Sequence, residues 1–147
     1  MSMLIAIQHI YQFFLELVMS KFSDYLEEKI LDATLKGGTF PTISSAHLAV
    51  FIGDPTDTGS GGAEGSWTNY ARQAIAFGTI SGGVVDNSAQ VQFPALVGSN
   101  VTISHIGIFD AASSGNLLYH TALASSKTLT ADDVLSFAIN GVTVTLA

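Results

Sequence analysis

The chain has 147 residues, enough for one domain with a substantial core. Its net charge of −7 rests on only five cations, Lys21, Lys29, Lys36, Arg72 and Lys127, which argues against a nucleic-acid partner. It has no cysteine, which excludes disulfides and thiolate chemistry, and charged residues make up 12% against about 25% in an ordinary soluble domain.

So few charges leave much neutral surface, as suits a subunit that buries part of its exterior in an assembly. A homo-oligomer, trimer or dimer, is therefore expected. The opening residues 3–18, MLIAIQHIYQFFLELV, are almost wholly apolar. They fall short of the roughly 20 residues a membrane span needs, and they carry Gln8, His9 and Glu16. A basic n-region and a small-residue cleavage site, the marks of a signal peptide, are missing. Leu4, Ile7, Tyr11, Phe14, Leu15 and Val18 fall close to one stripe of an amphipathic helix. On that reading Leu4, Ile7, Tyr11 and Phe14 are candidate contacts for a partner. The alternative is that translation starts at Met19, since MSKFSDYLEEK reads as an ordinary soluble N-terminus. The chain thus divides into an apolar extension, 1–18, and a single β domain with a leading helix, 19–147. A chain starting at Met19 is expected to fold unaided and to be no less heat-stable than the whole.

A helix follows. Asp24 and Glu27 have capping-box spacing, and Leu26, Ile30, Ala33 and Leu35 make the apolar stripe. Gly37-Gly38 stops it and Pro41 reinforces the break. Glu28 and Asp32 read as a solvated face, with nothing beside them to turn the pair to acid–base catalysis. Residues 47–52 (HLAVFI) form a buried-looking strand, and the acidic, Gly-rich residues 53–66 read as a mobile loop. Asp54, Asp57 and Glu64 do not have the spacing of a twelve-residue calcium loop, and no metal or cofactor is expected. Neither GSGG in this loop nor SGG at 81–83 has the basic residue and helix of a phosphate-binding loop.

Residues 70–77 and 84–93 are the next strands, closed by Pro94. The central hairpin comes after them: Val101–Phe109, a turn containing Gly115-Asn116, and residues 117–123. Neither run alternates cleanly, so the hairpin belongs in the middle of an antiparallel sheet, at least partly covered on both faces. Residues 134–139 and 142–146, joined by Asn140-Gly141, carry the strongest short hairpin signal. One helix and seven or eight short strands predict a mainly β fold, an antiparallel sandwich or barrel.

The ordered series SDYLEEKILDATLKGG, HLAVFIGDPTDTGSGG, NYARQAIAFG, NSAQVQFP, HIGIFDAASSGNLLYHTAL and LSFAINGVTVTL resembles a family of small tailed-phage virion proteins. Members are often labelled tail-fibre-like or virion structural proteins. The resemblance covers residues 20–146, and it implies an accessory structural subunit of a phage particle with no catalytic residues to carry over. Its partners would be other virion proteins, of the tail or the capsid. The tail-appendage role goes ahead of capsid decoration on the family's labels alone.

Two other classes compete with it. Ser104, His105 and Asp110 contain the residue types of a hydrolytic triad, but no nucleophile elbow accompanies them. His105 and His120 stand on the two strands of the central hairpin and could face each other, though a metal would need further ligands. The other class is a host-glycan-binding module, with Trp67, Tyr70 and Tyr119 as stacking surfaces and Trp67 beside the acidic loop. Folding of Trp67 back onto the sheet is the plainer expectation for that residue.

Overall fold

A computed structural model describes Ile10–Phe13, Val18–Met19 and residues 21–146. The fold is mainly β, with one helix near the N-terminus of the described chain. Among the described residues the sheets do not close into a barrel.

The helix, α1, spans Asp24–Leu35. Its N-cap is Ser23, one residue before the expected Asp24: the Ser23 hydroxyl accepts the Leu26 N–H at 3.2 Å. That hydroxyl also donates to the Leu117 carbonyl, and the Ser23 N–H donates to Leu118 at 3.0 Å, so the cap fastens α1 to the main sheet. Gly37, at φ +73°, ends the helix where the sequence placed the stop. Leu26 is buried and Ile30 packs against the core, but Leu35 is 76% exposed, so the expected stripe is only half used.

The main sheet is built on the predicted hairpin. Strand β9 (Val101–Phe109) matches the expected run, and β10 (Leu117–Leu129) extends six residues beyond it. Ala-Ser-Ser at 124–126 looks unlike a strand, yet β10 passes through it on a bulge. The register jumps from Ala122↔His105 to Lys127↔Ile103, and Leu123 inside the bulge is turned into the core. On one side β10 pairs with β3 (Lys21–Phe22); on the other β9 pairs with β4 (Ala46–Ile52). Strand β4 then meets β5 (Ala63–Glu64) at one end and β6 (Gln73–Ile75) at the other. Every pairing in this sheet is antiparallel, and the hairpin lies inside it, as the lack of clean alternation in its two runs predicts.

Alternation assigns side chains to two faces. Leu48 and Val50 of β4 join the main core, while Ala49 and Phe51 join a second cluster with Phe109 and Leu117. Gly107 is the gap into which that second cluster closes, since a Cβ there would lie 2.8 Å from Leu117 and 3.1 Å from Phe51.

Two three-stranded sheets complete the fold. In one, β11 (Val134–Phe137) lies between β8 (Val91–Gln92), antiparallel, and β1 (Ile10–Phe13), parallel. In the other, β12 (Thr143–Thr145) lies between β7 (Val84–Asp86), antiparallel, and β2 (Val18–Met19), parallel. Ile10–Phe13 is therefore a strand where the apolar stripe suggested a helix; the stripe's Leu4, Ile7, Phe14 and Leu15 lie outside the described residues.

The Asn140-Gly141 turn forms, with Gly141 donating to Ala138 at 2.9 Å, but the predicted hairpin does not. Asn87 enters between the two strands, fully buried. Its side-chain oxygen accepts the Val142 N–H at 2.8 Å, and its side-chain nitrogen donates to Ala138 and Ala89. Its backbone takes the Val142 carbonyl and the Asn140 N–H. With those groups engaged, β11 and β12 part into different sheets.

Candidate functional site

Three loops of one end of the main sheet are pinned together by polar side chains. The acidic loop 53–62, expected to be mobile, is tied along its length. Gly53 donates to the Ser104 hydroxyl at 2.9 Å, Gly61 to the Pro55 carbonyl at 2.8 Å, and the Asp57 carbonyl accepts the N–H of Asp24 at 3.0 Å. His120 on β10 is its anchor. The imidazole is 1% exposed, and its Nε2–H donates to Asp57 at 2.8 Å, since a carboxylate can only accept. Nδ1 lies 3.4 Å from Asp54. The Thr56 N–H bonded to Asp54 holds that carboxyl below the usual carboxylate range, assisted by His105, His120 and Lys21 and opposed by partial burial.

Arg72 anchors the hairpin tip. Its guanidinium takes Glu64 in a bidentate pair, both contacts at 2.8 Å, and donates to the carbonyls of Ala111 and Ser114. Its guanidinium carbon also lies over Phe109, 3.5 Å from the ring centre. Within the tip Asp110 accepts both the backbone and side-chain N–H groups of Asn116, and Gly115 adopts φ +70°, as the Gly-Asn signal predicts.

Between the helix start, the acidic loop and the tip lies a cleft of about 380 Å³. Asp24, Glu28 and Asp57 line it, so it repels anions. Among the described residues no group of three or more His, Asp or Glu is placed to hold a metal ion.

The aromatic candidates turn inward. Trp67 meets Tyr70 edge-on at 4.7 Å, Tyr70 stacks on Phe93 at 5.9 Å, and Phe93 meets Phe137 edge-on at 6.4 Å. The Tyr70 hydroxyl accepts from Val50 at 3.3 Å and donates to Glu64 at 2.9 Å. Burial raises its pKa well above that of an ordinary phenol, and the Glu64 charge adds to the rise. Tyr119 is separate from this ladder: it packs on Phe22 at 5.6 Å, and burial raises its pKa too. Trp67 keeps one open side, on a second cleft of about 290 Å³ beside Ile52 and Val97.

The remaining candidates are not brought together. Tyr11 lies in β1 in register with Leu135. His120 is opposite Gly107 and His105 opposite Ala122, so the two histidines do not face each other. Ser104 lies 2.9 Å from His105 Nδ1, but both oxygens of Asp110 are engaged by Asn116, which leaves the triad reading without its third member. Sequence reading missed the roles of Asn87, Arg72 and His120; Arg72 stands among apolar neighbours in residues 70–77, but Asn87 and His120 have polar residues beside them and no local signal marks them.

These features define a β-rich module whose polar side chains are spent on fastening loops, with apolar side chains left at its surface. The chain matches the family described as Gp80, Podophage GP4 fiber I protein gp80, over residues 21–145, and it belongs to that family. It is thus a member of a phage fibre-protein family, in accord with the tailed-phage resemblance of its sequence. Among curated proteins none matches it.

Proposed function

We propose that this protein is a tail-appendage subunit that works by protein–protein assembly within the virion rather than by catalysis. The family match over residues 21–145 carries the reading. The surface supports it: Leu31, Leu35, Ile80 and Ile139 are each more than half exposed, on a chain with 12% charged residues. Side chains of this size gain roughly 1.5–3 kcal/mol each when covered, so a neighbour is the natural place for them. Separation of heads from tails in disrupted particles, followed by mass spectrometry, tests the assignment. Recovery of this chain with the tails is expected; recovery with the heads would make it a capsid decoration protein instead.

A glycan-binding role has one specific observation in its favour, the cleft where Trp67 is flanked by Ser66, Thr68, Ser99 and Asn100. Trp67 is the chain's single tryptophan, so its fluorescence reports that cleft alone. A saturable shift on adding host-surface glycan supports this role, and an unchanged spectrum removes it.

A further inference from the structure

We propose that His120 is a pH-dependent clasp for the acidic loop 53–62. A second proton on its imidazole lets it hold Asp54 and Asp57 together, so the loop is fastened to the main sheet in mild acid and loosened as that proton leaves.

The His120 side chain is 1% exposed and stands between two carboxylates, with Nε2 2.8 Å from Asp57 and Nδ1 3.4 Å from Asp54. Nδ1 is buried and has no hydrogen-bond partner. A neutral imidazole has one N–H, and the contact with Asp57 uses it. Nδ1 then turns a lone pair toward the Asp54 carboxylate, which is unfavourable away from water. The imidazolium carries an N–H on both nitrogens, so one added proton removes that repulsion and gives each carboxylate its own donor. Asp54 is ready to accept it. The Thr56 N–H holds its carboxyl below the usual range, so Asp54 keeps its charge in mild acid. The other half of the device is easily released: the Asp54 and Asp57 side chains are 45% and 58% exposed, and a loosened loop returns both to water.

The remaining charges around His120 come from three elements. Lys21 of β3 is in register with His120, and it is exposed. On β9, Gly107 is opposite His120 and brings no side chain, while His105 lies two residues along, opposite Ala122. Asp24 and Glu28 of α1 line the cleft beside Asp57. His105 is the rival to His120, but its Nδ1 is engaged by Ser104. The clasp also governs a surface. Asp57, Thr58 and Gly59 form one wall of the 380 Å³ cleft, and a Cβ on Gly59 would lie 3.2 Å from the Leu117 side chain. Leu117 and Phe109 are buried with the loop in place, so its release opens that wall on apolar side chains.

Hydrogen exchange of the full-length chain, followed by mass spectrometry, reads the loop directly once each rate is divided by the intrinsic rate at that pH. Between about pH 8 and about pH 5.5 histidine side chains change charge. Over that descent the protection of residues 53–62, taken relative to β9, is expected to rise several-fold. Asp54→Asn keeps an acceptor for the Thr56 N–H but removes the charge that faces Nδ1. His120→Gln keeps a donor for Asp57 but cannot be charged. Both are expected to lose the rise, and His105→Gln to keep it. Should His120→Gln fail to fold, Asp54→Asn decides, since its site is exposed. A flat or falling response in the native chain, the native rise in Asp54→Asn, or loss of the rise in His105→Gln would overturn the clasp. None of these outcomes touches the tail assignment, which is read on fractionated particles.

Discussion

Asn87 sits where a hairpin ladder would otherwise form, and it satisfies both edges of the gap at once. Replacing it with Ala leaves the Val142 N–H and the Ala138 carbonyl without partners in a buried place. Each such group costs about 1–3 kcal/mol, so Asn87→Ala is expected to lower stability by about 3 kcal/mol in urea unfolding. A loss under about 0.5 kcal/mol, the size of an ordinary surface change, would contradict the role given to Asn87. Arg72 is the second such residue. Arg72→Met keeps the contact with Phe109 but strands Glu64 and two loop carbonyls, for an expected loss of about 1–3 kcal/mol. Because Glu64 is 28% exposed, water offsets part of that loss. Tyr70 makes stability depend on alkaline pH. Its raised folded pKa means that the native state holds a proton which the unfolded chain gives up near pH 10. Stability is therefore full below about pH 10 and falls as pH rises beyond it. Comparison of urea midpoints at pH 9 and pH 11 should show a smaller drop for Tyr70→Phe than for the native chain. An equal drop would assign the effect elsewhere, Tyr119 being the next group with a raised value.

At the scale of the element, the apolar opening changes the expectation for a chain that begins at Met19. Such a chain retains α1 and the whole main sheet, so circular dichroism should show it folded. It loses the four register pairs of β1 on β11, however, and a loss of about 1 kcal/mol lowers the thermal midpoint by about 3–6 °C. An unchanged or higher midpoint would show that β1 contributes nothing to the unit. The same elements show what sequence can and cannot reveal. The central hairpin was legible because its two runs are long and its turn needs a residue such as Gly115 at positive φ. The helix was legible from its stop and its polar start, although Ser23 rather than Asp24 caps it. The Asn140-Gly141 hairpin was misread because turn chemistry fixes the turn and not the strands' partners. A buried amide fifty residues earlier decided those. The docked acidic loop was missed for a similar reason: its anchor, His120, is remote in sequence and looks like any strand histidine. Of the candidate site, the tip residues were readable, whereas Arg72 and His120 acquire their meaning only from the register of the sheet.

For the whole molecule, sparse charge and exposed leucine and isoleucine side chains predict self-association of the purified chain. Sedimentation at tens of micromolar should show dimers or trimers, and monomer alone would count against an assembly built on copies of this subunit. A cryo-EM reconstruction of intact virions, into which the 21–146 fold can be docked, shows where on the particle the subunit sits. Density for this fold is expected in an appendage of the tail, with neighbouring protein over its exposed apolar residues. Density for it on the capsid surface alone, or in no part of the virion, would rule out a tail-appendage subunit.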